Sequence, residues 1–240
     1  MPYIQSYERS IERSRISLTR HDRPDVFFMC DREWDLLDEV FAPVYSPSTG
    51  VGVDFLGLAD DTPSEVGQSF LEVGTGSGVI AVLAALSGAE RVVALDISPK
   101  AVHNAELNAG RHLVADRVRV LHSDLFDRLG PGERFDTIFW SSNYVLAPEG
   151  YEYGSLHECA YVDAGYRTHQ RFLAEAPDRL TPGGRALLHF SSRGDLTALR
   201  RIAAECGREL RTADSVEVLE GEYGRDLVEH LLLEVLPAGR

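Results

Sequence analysis

Lysine is almost missing from this chain: of its 24 basic residues, Lys100 alone is lysine and the rest are arginine. A catalyst built on a lysine amine is nearly excluded by that count, while the arginine skew itself carries no functional reading. Cysteine is scarce as well. Cys30, Cys159 and Cys206 lie far apart and form no CxxC pair, which argues against a disulfide framework or a structural zinc motif and for reduced thiols. Long apolar runs are absent. The longest, Val79 to Leu86, falls well short of the ~20 residues a bilayer span needs, and the N-terminal MPYIQSYERSIERS lacks the apolar segment of a signal peptide. A soluble, cytoplasmic protein with no membrane partner is expected. Positive charge is outweighed, since the formal net charge is −14. Such a field repels phosphate backbones, so a nucleic-acid partner is not expected either.

What is present is a regular alternation from about Gln68 onward. FLEV (70–73) leads into VIAVLAALSG, RVVALD (91–96) into PKAVHNAELNAGRHL, and RVRVLH, FDTIFW (135–140), RTHQRFLAEAPDRL and GRALLHF (184–190) follow. Near-continuous apolar strands between helical stretches are the pattern of a parallel sheet covered on both faces. The helix DLTALRRIAAECG precedes two β-type runs, LRTADSVEVLE and DLVEHLLLEVL, around the turn signal GEYGR. Strands joined so closely pair antiparallel, which places the last strand antiparallel in the sheet. The expected fold is α/β, Rossmann-like and doubly wound: a mostly parallel seven-stranded sheet with an antiparallel last strand. Upstream, Ile4, Tyr7 and Ile11 stand at helical spacing, and Pro24, Pro43, Pro47 and Gly50 punctuate what reads as loop. Residues 1–65 are read as an N-terminal arm or lid, and 66–240 as the domain.

The first strand runs into Glu72-Val-Gly74-Thr75-Gly76-Ser-Gly78 at the start of a helix. Glycines there permit a tight turn and let a ligand approach the backbone above a helix N-terminus. A dinucleotide fingerprint would want Gly or Ala at position 79, where the chain has Val79. No GK[ST] follows, so a P-loop is excluded too.

The spacing ExGxGxG resembles motif I of class I S-adenosylmethionine-dependent methyltransferases. That resemblance implies S-adenosylmethionine as cofactor, with Glu72, Gly74, Thr75, Gly76 and Gly78 around it. Asp96, at the end of the second strand, would accept from the ribose hydroxyls beside Ile97; Asp124, after the third, would accept from the adenine amine while Leu125 packs on the ring. Ser141 closes the set at the end of the fourth strand. Within the superfamily, VYSPSTGVGVDFL (44–56), LEVGTGSGVIAVLAA, AVHNAELNA and FDTIFWSSNYV are similar to the HemK-type branch, which includes the release-factor glutamine methyltransferases. That branch carries NPPY after the fourth strand to orient a planar amide. Here the aligned residues are Ser141, Ser142, Asn143 and Tyr144. With the prolines gone, the leading expectation is O-methylation of a hydroxyl or carboxylate on a small metabolite. Methylation of a protein glutamine or another amide or amine nitrogen is the alternative, and a non-catalytic nucleoside-binding module a third reading.

The stretch SSNYVLAPEGYEYGSLHECAYVDAGYRTH exceeds ordinary connection length and is rich in tyrosine, which suggests a substrate lid. Asn143, Tyr144, His157 and His169 are the candidate catalytic residues, with Glu158, Asp163 and Tyr166 nearby in sequence. His157, Asp163 and His169 could together hold a divalent cation, although no close His-x-x-x-His spacing asks for one. Arg9, Arg13, Arg15, Arg20 and Arg23 could lend the arm positive charge over the cofactor mouth. Trp34, Trp140, His189 and Cys206 read as core.

Overall fold

The apolar runs become the strands of one seven-stranded sheet. The structure is a computed structural model and describes residues 4–59, 65–221 and 226–238. Helix α1 (Tyr7–Thr19) is followed by strands β1 (Val26–Met29) and β2 (Arg32–Asp35) and helix α2 (Ser48–Phe55). Then come β3 (Ser69–Val73), α3 (Val79–Leu86), β4 (Arg91–Asp96), α4 (Pro99–Arg111), β5 (Val118–His122) and β6 (Phe135–Ser141). The short strands β7 (Leu146–Ala147) and β8 (Asp163–Ala164) lie in the lid segment. They precede α5 (Arg167–Glu175), β9 (Leu180–Ser191), α6 (Leu196–Glu205), β10 (Arg208–Glu220) and β11 (Asp226–Pro237).

The sheet order is β10-β11-β9-β6-β3-β4-β5. β9, β6, β3, β4 and β5 run parallel, and β11 is inserted antiparallel between β9 and β10, as the two closely joined β-type runs led us to expect. Residues 222–225 of the GEYGR turn lie outside the described residues, but Glu220 pairs with Asp226 at the hairpin's end. Alternate side chains of each strand enter two separate cores. Phe70, Val92, Ala94, Phe139, Leu187 and Leu232 join α3 on one face, while Leu71, Val93, Leu95, Ile138, Leu188 and Leu233 join Phe172 and Leu199 on the other. This two-sided burial is why the strands read as unbroken apolar runs.

The N-terminal region differs from a loop-rich arm. The β1–β2 hairpin and α2 contribute Phe27, Trp34, Leu36, Val53 and Leu56 to the same core as α3. Two buried asparagines of α4 hold it there: Asn108 accepts from the backbone N–H of Asp35 at 2.8 Å, and Asn104 from that of Leu37 at 2.8 Å. Helix α1 buries serines, Ser10, Ser14 and Ser17, and leaves Ile16 exposed, so little apolar periodicity marks its packing. Tyr7 and Ile11 rest on a small cluster of lid residues around Val145 and Val162.

Candidate functional site

The strands β3, β4 and β6 end at one edge of the sheet, and a cavity of about 380 Å³ opens there beneath α1 and the lid. That volume falls in the range of small-molecule sites, which in open α/β sheets lie beyond the strands' carboxyl ends. Gly74, Thr75, Gly76, Asp96, Ile97, Asp124, Leu125, Trp140, Ser141, Asn143, Tyr144 and His157 all line it.

The glycine turn is held from two sides. Gly74 and Gly76 have φ of +64° and +56°, the left-handed region that other residues avoid, and a side chain built on Gly76 would meet nothing within 4 Å. Its N–H donates to Asp96 Oδ2 at 2.9 Å, and Ser98 N–H donates to Asp96 Oδ1 at 2.8 Å. Two carboxylate oxygens can accept about four hydrogen bonds, so Asp96 keeps capacity for a ligand. Glu72 serves the turn itself. One oxygen accepts from Thr75 Oγ1 at 2.6 Å and from Ala81 N–H at 3.0 Å, and burial pushes its carboxyl up to about 8. Asp124 is half-exposed at the rim and pairs with Arg171 of α5 at 3.0 Å. Leu125, held at φ +43°, is buried beside it.

Several residues singled out by sequence lie elsewhere. Gly78 does not line the cavity; its missing side chain lets α3 approach α4, since a Cβ there would come within 2.8 Å of Ala105 Cα. His169 is fully buried in the core between Trp140 and Phe190, away from the cavity. Its Nδ1 is 2.7 Å from Asp163 Oδ2, and Asp163 also accepts the backbone N–H groups of Thr168 and His169, so this acid caps α5. His157 is committed to Ser14 instead, at 2.7 Å. The proposed cation triad is therefore not assembled, and among the described residues no group of three or more His, Cys, Asp and Glu is placed to hold a metal ion. Tyr166 is buried, donating to Tyr144 O at 2.6 Å and accepting from Asp195 N–H at 2.9 Å. Glu158 binds Tyr151 Oη and Gly154 N–H within the lid. Cys206 sits half-buried at the end of α6 rather than inside an element.

The lid is real and built. Tyr153, Leu156, His157, Cys159 and Tyr161 line the cavity from it. Asn143 ties it down, donating from Nδ2 to the carbonyls of Cys159 at 2.9 Å and Val162 at 2.8 Å. These two acceptors fix the amide's orientation and leave Asn143 Oδ1 buried without a partner. His157 is neutral at ordinary pH because burial, with Arg23 adding to it, pushes the imidazole down to about 4; its Nε2 is also unpartnered. Of the N-terminal arginines that sequence singled out, Arg13 lines the cavity, whereas Arg15 pairs with Glu12, Arg20 with Asp22, and Arg23 donates to the carbonyls of Leu37 and Val40.

Sequence reasoning missed a buried polar row. Ser141, paired with His189 in the sheet register, places Oγ 3.1 Å from His189 Nδ1. His189 Nε2 lies 2.9 Å from His230 Nδ1, and His230 Nε2 lies 2.6 Å from Glu220 Oε1. Arg193 Nε donates to Glu220 Oε2 at 3.2 Å. Both imidazoles are fully buried, so nothing in strand periodicity distinguishes them from packing residues.

This fold, with acids beyond neighbouring strands and an open glycine turn between them, is the Rossmann-like fold of class I S-adenosylmethionine-dependent methyltransferases. Residues 55–141 match the family model described as "Ribosomal protein L11 methyltransferase (PrmA)". The release factor glutamine methyltransferase of Rhodopirellula baltica is 35% identical over 143 residues, covering 56% of this chain and 47% of that protein. A putative protein N5-glutamine methyltransferase of Methanocaldococcus jannaschii is 29% identical over 162 residues, covering 66% and 78%. Among solved structures, the T. thermophilus 16S rRNA N2 G1207 methyltransferase in complex with AdoMet and guanosine superposes with a TM-score of 0.55 at 19% identity, covering 89% of this chain and 50% of that one. The chain thus spans less than half the length of the release-factor relative. These comparisons correct the expected partners. The relatives are named for protein substrates and one fold neighbour for ribosomal RNA, which overturns a small-molecule partner and the exclusion of nucleic acid. As for membranes, no helix among the described residues is long and apolar enough to cross one.

Proposed function

We propose that this chain methylates an amide nitrogen of a protein side chain, glutamine being the favoured acceptor, with S-adenosylmethionine as donor. The observation that carries this reading is the orphaned Oδ1 of Asn143, on the residue two positions past the end of β6. A buried acceptor without a partner costs free energy, and an amide N–H of the substrate would supply the missing donor. The two glutamine methyltransferases among the relatives support the same chemistry.

In this reading Gly74, Thr75 and Gly76 form the backbone cradle of the cofactor, and Glu72 keeps that cradle in shape. Asp96 accepts from the ribose hydroxyls beside Ile97, Asp124 accepts from the adenine amine, and Leu125 packs on the ring. The bound cofactor supplies an electrophilic methyl group on sulfur. Everything else falls to the chain: Asn143 and Tyr144 orient the acceptor, and Ser141 stands beside it. His157 offers a neutral imidazole from the lid side, and Tyr153 and Leu156 exclude water. Positioning of this kind accounts for much of the barrier in a displacement between two bound groups. Helix α1 acts as a cover over the cavity mouth, with Arg13 at its inner face.

The test is methyl transfer from isotope-labelled S-adenosylmethionine to purified bacterial release factor, ribosomal protein L11 and ribosomal protein uL3, with mass spectrometry of the peptides. Label on a glutamine side chain is the expected result. Label on a hydroxyl or carboxylate, or cofactor binding with no transfer to any of these proteins, would overturn the reading.

A further inference from the structure

Four strands of the sheet contribute one residue each to a continuous hydrogen-bonded row that begins at the cavity wall and ends in the interior. Ser141 on β6 lines the cavity, and His189 on β9, His230 on β11 and Glu220 on β10 follow it inward. His189 and His230 are fully buried, and Glu220 and Arg193 nearly so. Helix α2 closes the row from above. Phe55 packs edge-on against the His189 ring at 5.5 Å, and a side chain at Gly52 would crowd Ile80 and Phe139, at 3.1 and 3.3 Å, beside it.

The order of donors along this row follows from its end. An ionised carboxylate only accepts, so the hydrogen between Glu220 and His230 sits on His230 Nε2. Arg193 bridges Glu220 at 3.2 Å and Asp226 at 3.3 Å, and Arg9 reaches the same Asp226 at 3.2 Å. Among the described residues two acids thus face two guanidiniums, and Arg13 and Tyr144 lie within electrostatic reach of Glu220. An imidazolium added to this set would be a buried charge in excess, which is costly. With hydrogen on Nε2 alone, His230 presents Nδ1 as an acceptor, His189 donates to it from Nε2, and His189 Nδ1 is left to accept from the Ser141 hydroxyl. Burial pushes the His189 imidazole down to about 3, which keeps it neutral. Every hydrogen in the row points away from the cavity. Ser141 Oγ has its hydrogen committed and retains only lone pairs for a ligand.

We propose that Ser141, His189, His230 and Glu220 form a relay that accepts a hydrogen bond from the methyl acceptor and takes up the proton it releases. This rests on the reading of the chain as an amide methyltransferase and adds to it the fate of the proton. An amide nitrogen that gains a methyl group, as the carbon–sulfur bond breaks onto sulfur to leave a neutral thioether, must shed one hydrogen. That proton passes to Ser141 Oγ, the serine hydrogen passes to His189 Nδ1, and the hydrogen on His189 Nε2 passes to His230 Nδ1. The row ends with an imidazolium at His230 against the Glu220 carboxylate, and atoms and charge balance. The same arrangement selects the acceptor. A nitrogen or oxygen bearing hydrogen is welcomed by Ser141, whereas an ionised carboxylate would set lone pairs against lone pairs.

The test begins with the full-length protein labelled with 15N-histidine. Long-range proton–nitrogen spectra at neutral pH, assigned with His189→Gln and His230→Gln, report which ring nitrogen carries hydrogen, without any substrate. Both rings are expected neutral and protonated on Nε2; a hydrogen on His189 Nδ1 or a doubly protonated His230 would overturn the relay. With a protein acceptor, Ser141→Ala should lower kcat about a hundredfold while the affinity for S-adenosylmethionine stays the same, and Ser141→Thr should restore most of the loss. Glu220→Gln removes the charge that stabilises an imidazolium, so the acid limb of the kcat profile should move to lower pH. An unchanged kcat in Ser141→Ala, or an unmoved limb in a folded Glu220→Gln, would overturn it. Absence of methyl transfer by the unaltered protein would instead sink the amide reading, and the nitrogen spectra would still decide the relay.

Discussion

The backbone N–H of Gly76 donates to Asp96 Oδ2 across 2.9 Å, so the glycine turn after β3 and the acid at the end of β4 form one unit. Asp96→Ala removes both the ligand acceptor and this brace. S-adenosylmethionine affinity should fall by about 1.5–3 kcal/mol, tenfold or more, in titration calorimetry. An unchanged dissociation constant would take Asp96 out of the cofactor site.

Gly76 and Gly78 of the turn separate by what surrounds them. Gly78→Ala forces a Cβ to within 2.8 Å of Ala105 Cα at φ +82°. Backbone strain and overpacking together should cost about 2–5 kcal/mol of stability, seen as a lower midpoint in denaturant. Gly76→Ala meets open space, so it should cost only the strain of about 1–2 kcal/mol while filling part of the cavity. Cofactor affinity should drop more for Gly76→Ala than for Gly78→Ala.

Glu72 carries a pH signature. Its carboxyl is raised from 4.5 to about 8 by burial, so the folded state holds a proton that the unfolded chain gives up. Its contribution to stability is complete below pH 4.5 and is lost as pH rises toward 8. Glu72→Gln keeps an oxygen for Thr75 and Ala81 but cannot ionise. Urea unfolding between pH 5 and 8 should show a shallower decline in the variant, as ~2 or more units of the window are covered. Parallel curves for the two proteins would contradict this.

His157 acts in the opposite direction. Its imidazole is held near 4 against an ordinary 6.5, so its contribution is complete above pH 6.5 and is lost as pH falls toward 4. His157→Gln should flatten the acid-side fall in thermal midpoint, with His189, which is lowered further still, accounting for part of what remains. If the midpoint of the variant falls as steeply as that of the unaltered protein, the lid histidine is not the sensor.

The sheet was legible because its strands are buried on both faces, and RVVALD became β4 residue for residue. Asp96 and Asp124 were legible because strand ends and turn acids sit at fixed places relative to an apolar run. The N-terminal hairpin was not, because its anchors are Asn104 and Asn108, 67 and 73 positions from the residues they hold, and no local pattern announces a hydrogen bond to a distant backbone. His189 and His230 were hidden for a related reason. They meet only because β11 enters the sheet beside β9, and in a one-dimensional reading neither shows the other as its partner. The lid was recognised by its length, but the roles within it were not separable. His169 and Asp163 satisfy each other in the core while His157 reaches the cavity, and spacing alone cannot tell these outcomes apart.

The place of β11 also orders the birth of the molecule. Strand β11 is made after both β9 and β10 yet occupies the slot between them, and it carries His230 into the row that starts at Ser141. Until that strand arrives, β9 has an open edge and His189 has Ser141 but not His230 beside it, so the strand ends that line the cavity can be set in outline before the row behind Ser141 is complete.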